Sequence, residues 1–266
     1  HIALDARTVS IVGTRRMSPY GERVARELAA DLARSGAVIV SGLAQGIDCA
    51  AHASALDAGG TSVAVLGEGI TSFLANGRGR RRRIAAALRG RGALLSPYPP
   101  IVPGRGWMFA KRNAVIAALA GAVVVAEAPA GSGALITAAD GVRLGRAVFA
   151  VPGPLGTRTA EGTNALIAAG TARACLGAED VARAIGLAVA RRGRSGRSAP
   201  RSARRAPARP GRARPRAGPR PSDVARAAGE PRSARGEPDH HLERRHRGGR
   251  AAQRLRLRRA HGARRR

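Results

Sequence analysis

The run Val38-Ile-Val-Ser-Gly-Leu-Ala-Gln-Gly-Ile-Asp-Cys-Ala-Ala-His52 passes from a β-branched apolar segment, through a turn with two glycines, into an alanine-rich segment. This order spells a buried strand, a tight turn and a closely packed helix. Ser41-Gly42 at the strand tip lets the backbone approach a ligand, and a helix opening near Gly46 and Asp48 aims free N–H groups and the positive end of its dipole over the strand end. Such a turn suits a phosphate. It also suits close packing alone, because small residues meet both demands.

The pattern repeats outward from this run. Thr8–Gly13 reads as a strand, followed by Thr14-Arg15-Arg16, and Pro19–Ser35 as an amphipathic helix with Pro at its start and Gly36 at its stop. Ala37–Val40 is the second strand, Thr61–Leu66 a third, and Ala93–Leu95 another. Strands alternating with helices at this pace predict an extended Rossmann-like, doubly wound α/β fold on a mostly parallel sheet. Between the third and fourth strands lies the charge run Gly77-Arg-Gly-Arg-Arg-Arg-Arg83, read either as a solvated surface or as a nucleic-acid contact, before a short helix over Ile84–Leu88. The proline-rich stretch Ser96–Gly104 predicts an ordered loop.

Trp107-Met-Phe-Ala-Lys-Arg-Asn113 precedes a helix predicted over Ala114–Ala120. Aromatic and cationic groups together can stack a base and pair a phosphate; as an alternative, the aromatics fill the core and Lys111 and Arg112 are solvated. Ala122–Ala128 is a strand feeding a second glycine-serine turn, Pro129–Thr137, where Ser132, Gly133 and Thr137 face a possible ligand. Glu127 at the strand tip binds a ribose hydroxyl, orients a neighbouring group or pairs with an arginine, the last two being favoured. Ala147–Val151 is a further strand. Thr163 and Asn164 cap a helix or reach a ligand, and a last strand–helix pair spans Ala174–Leu176 and Ala178–Ile185.

Charge divides the chain. Residues 1–188 hold 21 basic and 12 acidic side chains, whereas residues 189–266 hold 26 and 5, within a total of +30. Both parts favour a polyanion, nucleic acid first and anionic membrane surface second. Every basic residue is arginine except Lys111. Residues 189–266 have no apolar period and predict a disordered Arg-rich tail, read either as a basic arm or as a shifted reading frame in a GC-rich gene. Cys49 and Cys175 are isolated, and His240 and His241 stand among charges, so no metal and no cofactor is expected. Neither a membrane span nor a secretory signal is seen, and a chain starting at His1 is read as truncated at its amino terminus.

Taken in order, Ile11–Arg15, Val40–Asp48 with His52, Ala64–Gly67, Ser96–Pro100, Phe109–Asn113, Glu127 with Ser132–Ala138, Phe149–Gly153 and Glu161–Asn164 resemble the DNA-processing protein A family (DprA, also called Smf). The resemblance covers nearly all of residues 8–187. It implies a cytoplasmic, dimeric, non-enzymatic protein that binds single-stranded DNA and helps load RecA recombinase during natural transformation. Family DNA contacts carry over to Arg15 in the Gly13-Thr14-Arg15 turn, to Ser41, Gly42 and Gly46, and to Phe109, Lys111, Arg112 and Asn113. Three features depart from the family: Gln45 stands where many members have arginine, residues 70–83 lack a tyrosine-proline pattern, and no winged-helix domain is recognisable in the tail. A nucleoside-monophosphate hydrolase is the alternative, but Pro129–Thr137 ends without the carboxylate such a motif needs. A dinucleotide-binding oxidoreductase is disfavoured because Gly13–Ser18 is not GxGxxG.

Overall fold

A computed structural model describes residues 7–188. Seven strands form one wholly parallel sheet: β1 (Thr8–Gly13), β2 (Val38–Ser41), β3 (Ser62–Val65), β4 (Gly92–Leu95), β5 (Ala122–Glu127), β6 (Ala147–Ala150) and β7 (Arg173–Ala174), in the order β4-β3-β2-β1-β5-β6-β7. The predicted α/β class and doubly wound topology are therefore present. The winding reverses between β1 and β5, where Val9 to Val12 run in register with Ala122 to Val125 before a shift at Gly13. A reversal of this kind opens a crevice beyond the carboxyl ends of the two strands.

Alternation along the strands sorts side chains to the two faces. Val9, Ile11, Ala122 and Val124 join the cluster under helices α1 (Pro19–Arg34), α2 (Ile47–Asp57) and α8 (Ala178–Ala184). Val12, Val63, Val123 and Val125 face the opposite cluster, under α5 (Gly106–Ala118), α6 (Gly133–Arg143) and α7 (Glu161–Ala168). Ser18 caps α1 by accepting from the Gly21 N–H at 3.0 Å, Pro19 takes the first turn, and Gly36 at φ +89° ends the helix. Ala29 and Ala33 of α1 and Ala50, Ala51 and Ala55 of α2 are all buried in one cluster. Small residues there let the two helices pack closely over β1 and β2.

Two local expectations change. Residues 70–91 form two helices, α3 (Ile70–Asn76) and α4 (Gly79–Arg91), so the charge run from Gly79 on lies inside a helix rather than before one. Phe73, Ile84, Ala85 and Leu88 anchor that pair against Leu43, Cys49 and Leu66, which is why the arginines between them become helical. Helix α5 begins at Gly106 and not at Ala114, placing Trp107–Asn113 in its first two turns. Met108, Arg112 and Ile116, at i, i+4 and i+8, are its buried stripe. The proline-rich loop is ordered as expected. Ser96 Oγ donates to the Glu68 carbonyl at 2.8 Å, and Tyr98 Oη to the Met108 carbonyl at 2.9 Å. The expectation of a disordered or frame-shifted tail at 189–266 lies outside the described residues.

Candidate nucleic-acid interface

The site residues gather at the carboxyl edge of β1, β2 and β5 and in the first turns of the helices that follow. Two loops meet first. The Thr14 N–H donates to the Glu127 carbonyl at 2.7 Å, and the Ile47 N–H to the Thr14 carbonyl at 3.2 Å, so the turns after β1, β2 and β5 are tied into one rim. Gly46 has φ +89°, and a Cβ there would collide with the Thr14 carbonyl and crowd the Arg15 backbone. Glycine at 46 is thus demanded twice, by backbone conformation and by packing. A Cβ at Gly13 would similarly meet Ile47 and the Glu127 carbonyl at 2.6 to 2.8 Å.

Glu127 lies inward, 3% exposed. Its carboxylate accepts from the Ser18 N–H at 2.8 Å and from Ser18 Oγ at 2.6 Å. Of the roles expected for it, orientation of a neighbour is the one seen: it fixes the residue that caps α1, and the negative charge sits at a helix start.

The turn after β2 is clamped from beneath. Asp48 Oδ2 accepts from the Gly42 N–H at 3.1 Å, while Arg112 Nη1 donates to the Gly42 carbonyl at 2.8 Å and also to the Val65 carbonyl. A Cβ at Gly42 would lie 2.5 Å from the guanidinium. The clamp holds Leu43, fully buried, at φ +52°, a strained conformation for a side-chain-bearing residue. Burial raises the Asp48 pKa and lowers that of Arg112, and each charge partly offsets the shift of the other.

His52 lies in the same buried layer. Ser62 Oγ donates to the Ile39 carbonyl at 2.8 Å, so it accepts from His52 Nδ1–H at 2.7 Å, and the ring is a neutral tautomer. Burial, reinforced by Arg112, pushes the His52 pKa down to about 3. Its Nε2 has no hydrogen-bond partner.

Six of the expected contacts are consequently buried, Gly46 under the Thr14–Arg15 backbone among them. Ser41 is fully buried with Oγ donating to the Ile11 carbonyl at 2.6 Å, Thr137 is 1% exposed, Arg112 is 4% exposed, and Gly42 is buried between Asp48 and Arg112. Arg112 corrects the sequence reading most sharply, for its guanidinium is spent on carbonyls that shape the turn rather than held out toward a phosphate. Thr14 is buried too, its Oγ1 accepting from the Arg16 N–H at 3.2 Å. For Arg112 the sequence signal was the buried stripe of α5, visible only once the helix is started at Gly106.

Other groups do face outward. Arg15 and Lys111 are exposed, and the Arg15 guanidinium stands 5.9 Å from the centroid of the half-buried Phe109 ring. Phe109 packs against Gly67 and Gly104, where a Cβ would clash with the ring. Trp107, which the sequence left between core and surface, is 55% exposed, with Lys111 Nζ 5.4 Å from its ring centroid and Tyr98 edge-on at 6.2 Å. Asn113 Nδ2 donates to the Gly133 carbonyl at 3.1 Å, joining α5 to the α6 start, where Ser132 Oγ accepts from the Ala134 N–H at 3.4 Å. Asn164 grips both the N–H and the carbonyl of Gly153, at 3.0 and 3.1 Å, and so stiffens a neighbouring loop.

A cavity of about 480 Å³ opens beside this rim, lined by Arg15, Arg16, Gln45, Gly46 and, at the start of α4, Arg78, Arg80 and Arg81. Both cysteines are buried, with thiol pKa values pushed up to about 11 for Cys49 and about 12 for Cys175, chiefly by desolvation. Among the described residues no group of three His, Cys, Asp or Glu is placed to hold a metal ion, and no helix is long and apolar enough to cross a membrane.

Comparison with known proteins agrees with this architecture. Protein Smf of Escherichia coli (strain K12) is 43% identical over 168 residues, covering 63% of this chain and 44% of its own length. The chain therefore spans less than half of that relative. The X-ray structure of DNA processing protein A (DprA) from Streptococcus pneumoniae superposes with a TM-score of 0.59 at 35% identity, over 66% of this chain and 60% of that one. A Helicobacter pylori DNA processing protein A structure, described for its single-stranded DNA binding mode, gives 0.58 at 28% identity, over 66% and 78%. The profile of DNA recombination-mediator protein A matches residues 2–186, which include the whole sheet and the rim just described, and the chain belongs to that family.

Proposed function

We propose that residues 7–188 form a non-catalytic domain that binds single-stranded DNA along the carboxyl edge of the sheet, in the service of DNA recombination. The observation that carries the reading is the pairing of an exposed arginine with an aromatic ring, Arg15 after β1 over Phe109 on α5, with exposed Lys111 two residues further along that helix. Cation and ring together suit a strand that offers one phosphate and one unstacked base per step. Rigid support lies behind them: Gly13, Thr14 and Gly46 lock the rim, and Arg112 with Asp48 clamps Gly42. Ser132, Gly133 and Asn113 extend the rim to the α6 start.

The relatives point the same way, since one is described by its single-stranded DNA binding mode and others by DNA processing. A non-enzymatic role is supported by Glu127, whose carboxylate is committed to Ser18. RecA recombinase and a second copy of this chain are the partners this reading implies, in the cytoplasm, during transformation or recombination.

The test is anisotropy of a labelled oligo(dT) with the full chain across a salt series. Lys111→Ala and Arg15→Ala should each weaken binding and reduce the slope of log affinity against log salt by about 0.7, one single-strand phosphate apiece, with unchanged thermal unfolding. If both variants keep the parent slope, this edge is not the interface.

A further inference from the structure

The cavity beside the rim is built from three separate segments. Arg15, Arg16 and Met17 come from the turn after β1, Gln45, Gly46 and Cys49 from the turn into α2 and its first helical turn, and Arg78, Arg80 and Arg81 from the start of α4. Five arginines thus line one space. Two are matched: Arg80 lies 3.8 Å from Glu22, and Arg81 lies 3.5 Å from Glu68. Arg15, Arg16 and Arg78 have no ion pair among the described residues. The cavity therefore carries more positive charge than its own carboxylates offset.

Its walls are fixed in relation to the rim. Arg81 Nε donates to the Leu43 carbonyl at 2.8 Å, and its guanidinium stands 5.0 Å from the Phe73 ring centroid, so α4 is tied to the turn after β2. Arg15 is shared, lining the cavity while standing over Phe109. The charge order of α4 fits as well. Arg78, Arg80, Arg81 and Arg82 occupy the helix start, no acidic residue lies in the first turn, and no side chain caps it. Cations at the positive end of a helix are held against its dipole, and a polyanion passing there relieves both that opposition and their mutual repulsion.

We infer that this cavity is a second phosphate-binding segment, through which the backbone of the bound single strand continues from Arg15 across Gly46 to Arg78 and Arg80. The inference rests on the DNA-binding reading above and assigns the sugar-phosphate path that leaves its rim. Gln45, exposed at the mouth, supplies neutral hydrogen-bonding groups between two cationic stations.

The experiment uses the full chain and oligo(dT) in a salt series. The exposed pair Arg78→Ser/Arg80→Ser should lower the salt slope by about 1.4, two single-strand phosphates. A control pair of equal charge at the far end of α4, Arg89→Ser/Arg91→Ser, should leave it within error of the parent. Equal slope loss in the two pairs would mean a general charge effect and overturn the inference, as would no loss in the first pair. Loss in Lys111→Ala and Arg15→Ala with none in Arg78→Ser/Arg80→Ser sinks the second segment alone. No loss in any variant sinks the whole interface. Saturable binding of dTMP that the first pair abolishes, with its DNA slope unchanged, would make the cavity a mononucleotide pocket and overturn the strand path.

Discussion

Replacing Arg112 by alanine separates a structural cation from a DNA-contacting one. The side chain donates to the Gly42 and Val65 carbonyls and balances Asp48, all out of water. Removing it leaves an uncompensated carboxylate and orphans two carbonyls. Breaking a buried charge partnership by deleting one member costs about 3 to 5 kcal/mol, a large part of the roughly 5 to 15 kcal/mol stability of a domain. The assay is urea unfolding of the full chain, Arg112→Ala alone and together with Asp48→Asn. The double variant should recover about 1 to 3 kcal/mol, because the stranded charge is gone.

The pH dependence has a definite sign. Burial already raises the Asp48 pKa, and loss of Arg112 removes the main influence opposing it. The folded variant then holds its Asp48 proton to higher pH than the unfolded chain does. Its deficit should accordingly be larger at pH 8 than at pH 5. Stability within about 0.5 kcal/mol of the parent, the size of an ordinary surface substitution, combined with a lower salt slope for DNA, would refute the clamp and return Arg112 to the surface.

Two further outcomes test the same layer. His52 is neutral in the fold with its pKa down to about 3 against 6.5 unfolded, so its contribution is complete above pH 6.5 and lost as pH falls toward 3. Between pH 7.5 and 4.5 the parent should lose about 2 to 3 kcal/mol more than His52→Gln in urea titrations, and parallel pH profiles would count against a buried neutral ring. Gly46→Ala should destabilise by about 2 kcal/mol or more, through positive φ and a clash with the Thr14 carbonyl; a thermal midpoint equal to the parent's would show that the two loops do not meet as described.

Much of this was legible in the sequence because it is local. The apolar run Val38–Val40 leading to Gly42, the stop at Gly36 and the first-turn Pro19 each act through neighbours a few residues away, and each stands where pattern places it. The alternation of strands and helices was enough to set a parallel, doubly wound sheet, since parallel neighbours need crossovers. The motifs of the site were also readable by residue type. What each side chain does there was not.

Arg112 and Lys111 are adjacent, identical in charge and one helical step apart, yet one is buried and the other exposed. That division follows from where α5 begins and from which of its faces lies over β2 and β3, a matter of rotation about the helix axis that charge and composition do not encode. The arginine run of residues 78–83 shows the same limit. By itself it reads as either a solvated surface or a nucleic-acid contact, and only the packing of Phe73, Ile84 and Leu88 turns it into a helix whose start closes a cavity with Arg15 and Gly46. Sequence by itself determined the fold class and which residue types reach the sheet edge, because periodicity and turn chemistry are local. Tertiary structure alone decided which of those residues support the turn and which face outward, because burial depends on partners as far away as the 70 residues that separate Gly42 from Arg112.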